Sequence, residues 1–238
     1  MVRMLLPRAT RRPHNESVEV ASAAAPTFRI MSWNVLADGL AQFGDFCHAS
    51  PHHLQWEYRQ PLLRQEILSW DADILALCEL NHYEDDILPF MEERGFQGLF
   101  VAKPESPCLV MGDGFPPDGC ALLWRKDRFS LRESRMLSLP LTPQDSVSNQ
   151  VAILAVLEDQ LAERRPLCVC TTHLKAKAGP ENDSIRATQS RFVMQELDKA
   201  TSGGQIPALL CGDFNEKPSE DPESMYQGIA AHSLGLRS

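Results

Sequence analysis

The chain has 238 residues, a length that suits one large domain or at most two small ones. Its hydrophobic content of 43% and charged content of 23% are ordinary for a globular protein and allow a sizeable core. The formal net charge of −9 provides no general attraction for nucleic acid. Any phosphate-binding surface therefore has to be a local basic cleft.

Residues 1–27 are predicted to be a flexible leader that precedes one domain spanning residues 28–238. The first twelve residues hold four arginines, and no acidic residue comes before Glu16, as in mitochondrial transit peptides. Pro7 and Pro13 interrupt any amphipathic helix there and favour a disordered basic tail. We expect a cytoplasmic protein, with a mitochondrial location as the alternative. No apolar stretch approaches the roughly 20 residues that span a bilayer.

From Phe28 onward, short apolar runs alternate with helical patterns, which predicts an α/β fold. The predicted strands are, in chain order, Phe28–Trp33, Ile74–Cys78, Leu99–Ala102, Cys120–Trp124, Ser134–Leu139, Val151–Leu157, Leu167–Thr171 and Ala208–Cys211. The predicted helices are Trp56–Trp70, Tyr83–Arg94 and Ser184–Ala200. Two segments rich in Pro, Gly and Ser, Glu105–Asp118 and Leu141–Gln150, are predicted surface loops.

The seven cysteines do not form the pattern of a disulfide framework, because their number is odd and most lie in apolar runs. Reduced cysteines that fill the core are the better interpretation. Cys168 and Cys170, with His173, resemble half of a zinc site. Alternate strand residues point to opposite faces and no second Cys/His pair lies nearby, so we favour the core interpretation.

Four predicted strands are each followed, directly or after one residue, by an isolated polar side chain. These residues are Asn34, Glu79, His173 and Asp213, and Asn215 lies two residues beyond the last. Buried strands hold the side chains at their ends more rigidly than loops can, so strand ends are natural places for chemistry.

The residue types form one coherent set. Mg²⁺ prefers oxygen ligands and usually takes one or two carboxylates, which Glu79 could supply with Asn34 as a neutral oxygen nearby. Asp213 could accept a proton from an attacking water, and Asn215 and His173 could donate to phosphoryl oxygens. Each residue alone is more commonly a turn residue, a helix cap or a structural histidine. The hypothesis of a metal-assisted hydrolase depends on their conjunction.

The same strand ends resemble, in chain order, the signatures of a known family, the endonuclease/exonuclease/phosphatase superfamily. These segments are Ser32–Leu36, Cys78–Leu80, Thr172–Lys175 and Gly212–Asn215. The deadenylase-related branch is the most similar part of the superfamily. The finer match lies in Asn81–Tyr83, Lys103–Pro104, Ser106–Leu109, Pro117–Leu122 and Asn149–Ile153.

The resemblance implies a four-layer α/β sandwich of two mixed β-sheets flanked by helices. It also implies Mg²⁺ held mainly by Glu79, with Asn34, His173, Asp213 and Asn215 around the scissile phosphate. The implied activity is removal of the 2′-phosphate from NADP⁺ and NADPH by a monomer. Lys103, Lys175 and Lys177 match basic positions that contact the dinucleotide's phosphates, and Arg186 is a further basic candidate for substrate binding.

The chain departs from the family pattern at three places. Cys78 stands where the family more often has Gln, and Lys177 where it has Arg, which replaces a bidentate fork by a point charge. The late Asp and the terminal Ser-Asp-His motif of the family are not found before Ser238. We therefore expect the domain to be incomplete at its C-terminus, and residues 1–238 to show little NADPH phosphatase activity.

Two other functions remain open at this point. One is a 3′ exonuclease on poly(A) RNA, against which stand the acidic charge and the absence of a basic stripe with interleaved aromatic residues. The other is a catalytically impaired fragment with a nucleotide-binding or regulatory role.

Overall fold

A computed structural model describes residues 26–43, 48–111, 114–143, 148–217 and 224–236. Nearly all of the predicted leader, as well as Cys47 and part of each predicted surface loop, lies outside the described residues. Within them, eight strands form two four-stranded sheets. The predicted α/β architecture of two mixed sheets flanked by helices is confirmed.

The first sheet combines one parallel strand pairing with two antiparallel ones. Its strands are β1 (Ile30–Asn34), β2 (Ile74–Leu80), β3 (Phe96–Ala102) and β4 (Gly119–Arg125), in the spatial order β1-β2-β4-β3. β1 and β2 run parallel because a helical crossover separates them. That crossover contains α1 (Asp38–Phe43), α2 (Pro51–Leu54) and α3 (Trp56–Ser69). A π-helical turn (Tyr83–Ile87) and α4 (Leu88–Glu92) follow β2, and a 3₁₀ turn (Pro107–Val110) follows β3.

The second sheet has the same pairings in the reverse order along the chain, because its parallel pair is formed by its last two strands. Its strands are β5 (Phe129–Ser138), β6 (Val151–Asp159), β7 (Arg165–His173) and β8 (Ala208–Asp213), in that spatial order. α5 (Pro180–Ala200) connects the parallel strands β7 and β8, and α6 (Met225–Ala230) packs against it. Among the residues described, none of the helices has both the length and the apolarity needed to cross a membrane.

Side-chain alternation along the central strands separates three apolar clusters. In β2, Leu75 and Leu77 pack on the helices of the first half, whereas Ile74 and Ala76 face the second sheet. In β6 the alternate residues likewise divide between the inter-sheet space and a cluster beneath α5. Strands buried on both faces read as continuous apolar runs. The three clusters fill the spaces of a helix–sheet–sheet–helix sandwich.

The observed elements match the predicted ones in type and differ mainly at their ends. The predicted helix Tyr83–Arg94 begins as the π-helical turn, and α3 continues through Pro61. The short elements α1, α2 and α6 are not predicted, because four to six residues are too few for a clear hydrophobic period. Cys78, Cys120, Cys168 and Cys170 are buried, as predicted for cysteines that fill the core, whereas Cys211, predicted with them, is half-buried.

Candidate active site

The carboxyl ends of β1, β7 and β8 meet at one edge of the space between the sheets. Asn34 has the same strand parity as Ile30, which packs between the sheets, so its side chain points toward the second sheet. Asp213 has the parity of Leu209 and Cys211, which also contact the inter-sheet cluster. The two edge strands approach closely there, since Gly212 N donates a hydrogen bond to Ser32 Oγ at 3.1 Å. Both sheets therefore contribute to one site.

Asn34 bridges two carboxylates that are far apart in the sequence. Its Nδ2 donates to Glu79 Oε1 at 2.9 Å and to Asp213 Oδ2 at 3.0 Å. Its Oδ1 accepts from the backbone N–H of Leu36 at 3.0 Å, which assigns the amide orientation. The nitrogen of Asn34, not its oxygen, thus faces the carboxylates. Direct ligation of a metal by Asn34 stays a prediction, while its hydrogen bonds show an orienting role.

Glu79 reaches the site through a β-bulge. Strict alternation would bury it beside Leu75 and Leu77, but the pairing of β2 with β4 shifts between Cys78 and Leu80. Leu80 takes the buried position instead, and Glu79 adopts a φ of +52°. Such backbone conformations are costly for residues other than glycine and cluster at functional sites. The bulge frees the carboxylate to face Asn34 and His173.

His173, the last residue of β7, lies beside Glu79 and is almost fully buried. Its Nε2 is 3.8 Å from Glu79 Oε1, and its Nδ1 has no hydrogen-bond partner among the described residues. Burial, and next the charge of Lys103, lower the pKa of His173 from its usual 6.5, although Glu79 and Asp213 oppose this. His173 is therefore neutral at pH 7, and a neutral imidazole can donate one hydrogen bond to a substrate oxygen.

Asp213 and Asn215 form a tight turn at the end of β8. The backbone N–H of Asn215 donates to Asp213 Oδ1 at 2.9 Å, and Asn215 Nδ2 donates to Leu174 O at 3.0 Å. Asn215 has a φ of +52°, which asparagine tolerates better than most residues. Both oxygens of Asp213 accept hydrogen bonds, from Asn34 and from Asn215, so the carboxylate is held in one orientation.

Lys103 extends from the end of β3 into a buried polar network. Its Nζ lies 2.6 Å from Asp118 Oδ2, and Asp118 also accepts a hydrogen bond from the hydroxyl of Ser106. Burial disfavours the ammonium, but the charge and hydrogen bond of Asp118 outweigh it and raise the pKa of Lys103. Gly119 allows the strands to approach here, because a Cβ would lie 2.0 Å from Val101 O. Lys103 is thus a fixed positive charge near Glu79 and His173.

The other predicted basic residues lie on and beneath one loop. Lys175 is half-buried and Lys177 is exposed, in the segment that follows β7. Arg186 is only 3% exposed, and its guanidinium donates to the backbone carbonyls of both lysines. Contact of the two lysines with substrate stays a prediction. For Arg186 the visible contacts are with the protein itself.

Two residues of this region, Arg59 and Asp118, are not among the predicted site residues. Arg59 of α3 donates from Nη2 to Val35 O at 2.6 Å and to Leu36 O, which holds the loop that follows Asn34. Asp118 holds Lys103. The sequence around Arg59 reads as an ordinary helix, and Asp118 reads as a turn residue in Pro-Pro-Asp-Gly. No local signal indicates either partner.

The donor set at the site fits a magnesium ion. The described residues contain no group of three or more His, Cys, Asp and Glu side chains arranged to hold a metal. Glu79 and Asp213, however, both reach Asn34 Nδ2, and in the described part of the chain neither forms an ion pair with a lysine or arginine. Mg²⁺ commonly uses one or two carboxylates and leaves its other positions to water and phosphate oxygens. Glu79 would hold the ion, with Asp213 beside it.

The comparisons with known proteins agree with this geometry. The sequence profile of the endonuclease/exonuclease/phosphatase family matches residues 31–224. The chain is 40% identical to rat nocturnin over 218 residues, which is 91% of this chain and 49% of nocturnin. It also resembles the human nocturnin catalytic domain solved with a bound sulfate anion. That match has a TM-score of 0.76 and 38% identity, and covers 87% of this chain and 69% of that domain.

A second solved relative has a stated phosphatase activity. ANGEL2, described as a 2′,3′-cyclic phosphatase, matches with a TM-score of 0.69 and 26% identity over 85% of this chain and 56% of that one. The chain spans about half the length of the curated nocturnin sequences from rat and human that it matches.

Proposed function

Because the chain belongs to the endonuclease/exonuclease/phosphatase family, we propose that it is a Mg²⁺-dependent phosphoesterase that removes the 2′-phosphate of NADP⁺ and NADPH. The observation that carries this proposal is the bridge from Asn34 Nδ2 to Glu79 and Asp213. It brings one carboxylate suited to a metal and one suited to a proton into the same small space. The resemblance of the motifs to the nocturnin-like part of the family supports the dinucleotide substrate.

The groups at the site divide into those that activate the attacking water and those that stabilise charge on the phosphate. Mg²⁺ bound at Glu79 would polarise a phosphate oxygen and offset its charge. Asp213 is oriented by its two hydrogen bonds, and each of its oxygens retains a lone pair that can accept the proton of an attacking water. His173 donates an N–H to a phosphoryl oxygen, and Asn215 keeps a second amide hydrogen for the same purpose.

The basic residues bind the substrate's phosphates in this proposal. Lys103 is fixed in place by Asp118 near the carboxylates, whereas Lys175 and Lys177 lie on the neighbouring loop. Three lysines at one edge of a chain with a net charge of −9 suit a small phosphorylated ligand better than a long polyanion. The site therefore favours NADP(H) over poly(A).

The test is to measure both binding and phosphate release, since the chain spans about half the length of its relatives. NADPH, NADH, oligo(A) and adenosine 2′,3′-cyclic phosphate are each incubated with the protein and Mg²⁺. In a chain extended by the late Asp and the Ser-Asp-His motif of the family, we expect phosphate release from NADPH that EDTA abolishes and that Glu79→Gln lowers by about 100-fold or more. Glu84→Gln, an exposed position of the next turn, is the matched control and keeps wild-type activity.

Each outcome points to one function. NADPH binding that exceeds NADH binding, without phosphate release, supports the nucleotide-binding fragment. Shortening of oligo(A) without phosphate release from NADPH supports the exonuclease and contradicts the proposal. Preferential opening of the cyclic phosphate places the substrate among those of ANGEL2-like proteins.

A further inference from the structure

Two side chains of α5, Arg186 and Gln189, lie one helical turn apart on the buried face of the helix. Arg186 is 3% exposed and Gln189 is fully buried. Such long polar side chains are seldom buried unless their hydrogen bonds are satisfied. Both of them form hydrogen bonds with one segment, the loop 174–179 that carries Lys175 and Lys177.

Arg186 holds the carbonyl groups of this loop. Its Nη1 donates to Lys175 O and to Lys177 O, each at 2.9 Å. Its Nη2 donates to the carboxylate of Asp183, and its Nε lies 3.5 Å from Glu216 Oε2, one residue beyond Asn215. Both terminal nitrogens of the guanidinium thus bond protein groups, and its Nε is buried without a hydrogen bond to the described residues, so little of the group is left to meet a ligand.

Gln189 holds the same loop through an N–H group. Its Oε1 accepts from Lys175 N at 3.0 Å. Its Nε2 donates to Gln150 Oε1 at 3.1 Å and to Ser148 Oγ at 3.3 Å, so the amide is itself held in one orientation. Lys177, whose carbonyl Arg186 holds, has a φ of +75°. A lysine adopts this conformation only when its surroundings impose it.

We propose that Arg186 and Gln189 are positioning residues that fix the backbone of the lysine loop, so that Lys175 and Lys177 meet the substrate's phosphate. A lysine carries a point charge on a flexible side chain, so the position of its ammonium group depends on where the backbone holds the Cβ atom. Arg186 acts through the loop and not by contact with the ligand. The identity of the ligand rests on the proposed function, whereas the fixing of the loop does not.

The first experiment measures the loop without any ligand. Amide hydrogen exchange is followed at Lys175 in the wild type, in Arg186→Lys and in Gln189→Met. Arg191→Lys is the matched control, because Arg191 is exposed on the same helix and bonds only Thr188 among the described residues. We expect exchange at Lys175 to quicken about tenfold or more in both test variants and not in the control. Unchanged exchange in Arg186→Lys overturns the proposal.

The second experiment separates positioning from direct contact by a double-mutant cycle. We expect Arg186→Lys to weaken NADPH binding about 10- to 100-fold, as loss of an outer supporting group does at other sites. In a Lys175→Ala/Lys177→Ala background the same change should alter affinity by no more than about twofold. Equal losses in both backgrounds mean that Arg186 contacts the ligand, which overturns the proposal.

The two experiments also separate this proposal from the proposed function. If the wild type does not prefer NADPH over NADH, the proposed function fails, and hydrogen exchange alone decides the role of α5. Melting temperatures are recorded for every variant. If Arg186→Lys does not fold, Gln189→Met is carried through the cycle in its place, with the same expected pattern.

Discussion

At the scale of single residues, the site depends on carboxylates whose partners are supplied by distant parts of the chain. Asn34 orients Glu79 and Asp213, which lie 45 and 179 residues away in the sequence. Asp118, which is fully buried, orients Lys103. A buried ion pair contributes little beyond an apolar pair of the same shape, but breaking it leaves an unpaired charge. Variants of the Lys103–Asp118 pair can therefore show whether its main contribution is to hold Lys103 in place or to stabilise the fold.

We predict that Asp118→Ala lowers the free energy of unfolding by about 3–5 kcal/mol, because it leaves the Lys103 ammonium buried without a partner. Adding Lys103→Met to that variant should restore most of the loss, while phosphate binding stays weak. Urea denaturation measures the stability and titration calorimetry the binding. If the double variant is as unstable as Asp118→Ala, the unpaired Lys103 ammonium is not the cause of the lost stability, and the prediction is wrong.

At the scale of the elements, a histidine joins the helices of the first half near the site. His82 stacks on Trp56 of α3 with ring centroids 4.1 Å apart. Its Nδ1 is 2.8 Å from Asp85 Oδ2 in the π-helical turn, and its Nε2 is 3.7 Å from Asp38 Oδ2 in α1. Burial disfavours the protonated ring, but Asp38 and then Asp85 outweigh it and raise the pKa of His82 above 6.5.

The sign of this shift predicts how stability depends on pH. Since the folded pKa is raised, protonation of His82 stabilises the fold fully below the unfolded pKa of about 6.5, and this contribution is lost as pH rises through the folded value. We expect the stability difference between wild type and His82→Gln to shrink as pH rises from about 6.5 through the alkaline range. His53→Gln, at an exposed position of α2, is the control. A difference that is constant across that range would contradict the prediction.

At the scale of the whole molecule, charge and architecture select the kind of ligand. The net charge is −9, yet Lys103 lies near the carboxylates, and Lys175 and Lys177 lie on the loop that follows β7. Affinity for a long nucleic acid grows with the number of phosphates that basic residues neutralise. A site with a few basic residues in an acidic surface should bind the first one or two phosphates and gain nothing from the rest.

We therefore predict that affinity for oligo(A) is nearly independent of length from two to ten nucleotides. Fluorescence anisotropy with labelled oligo(A), at a fixed salt concentration, measures it, and NADPH as competitor should displace every length equally well. Affinity that rises steadily with length would favour the poly(A) exonuclease over the NADP(H) phosphatase.

The sequence by itself predicted the eight strands, most of their ends to within about two residues, and the polar residues that follow them. Alternation predicts which residues of a strand face the same side, and Asn34, His173 and Asp213 follow it into the inter-sheet space. Isolated polar residues after apolar runs are visible without any structure. These signals suffice because they depend only on neighbouring residues.

Only the tertiary structure decided how the polar groups are paired. Glu79 has the wrong parity for the site and reaches it through a bulge that no pattern in its own strand announces. Arg186 is predicted to bind substrate, but the structure shows it bonded to the loop beneath the predicted lysines. Local periodicity is set by adjacent residues, whereas the partner of a buried polar atom is whichever distant segment the fold brings within about 3 Å of it.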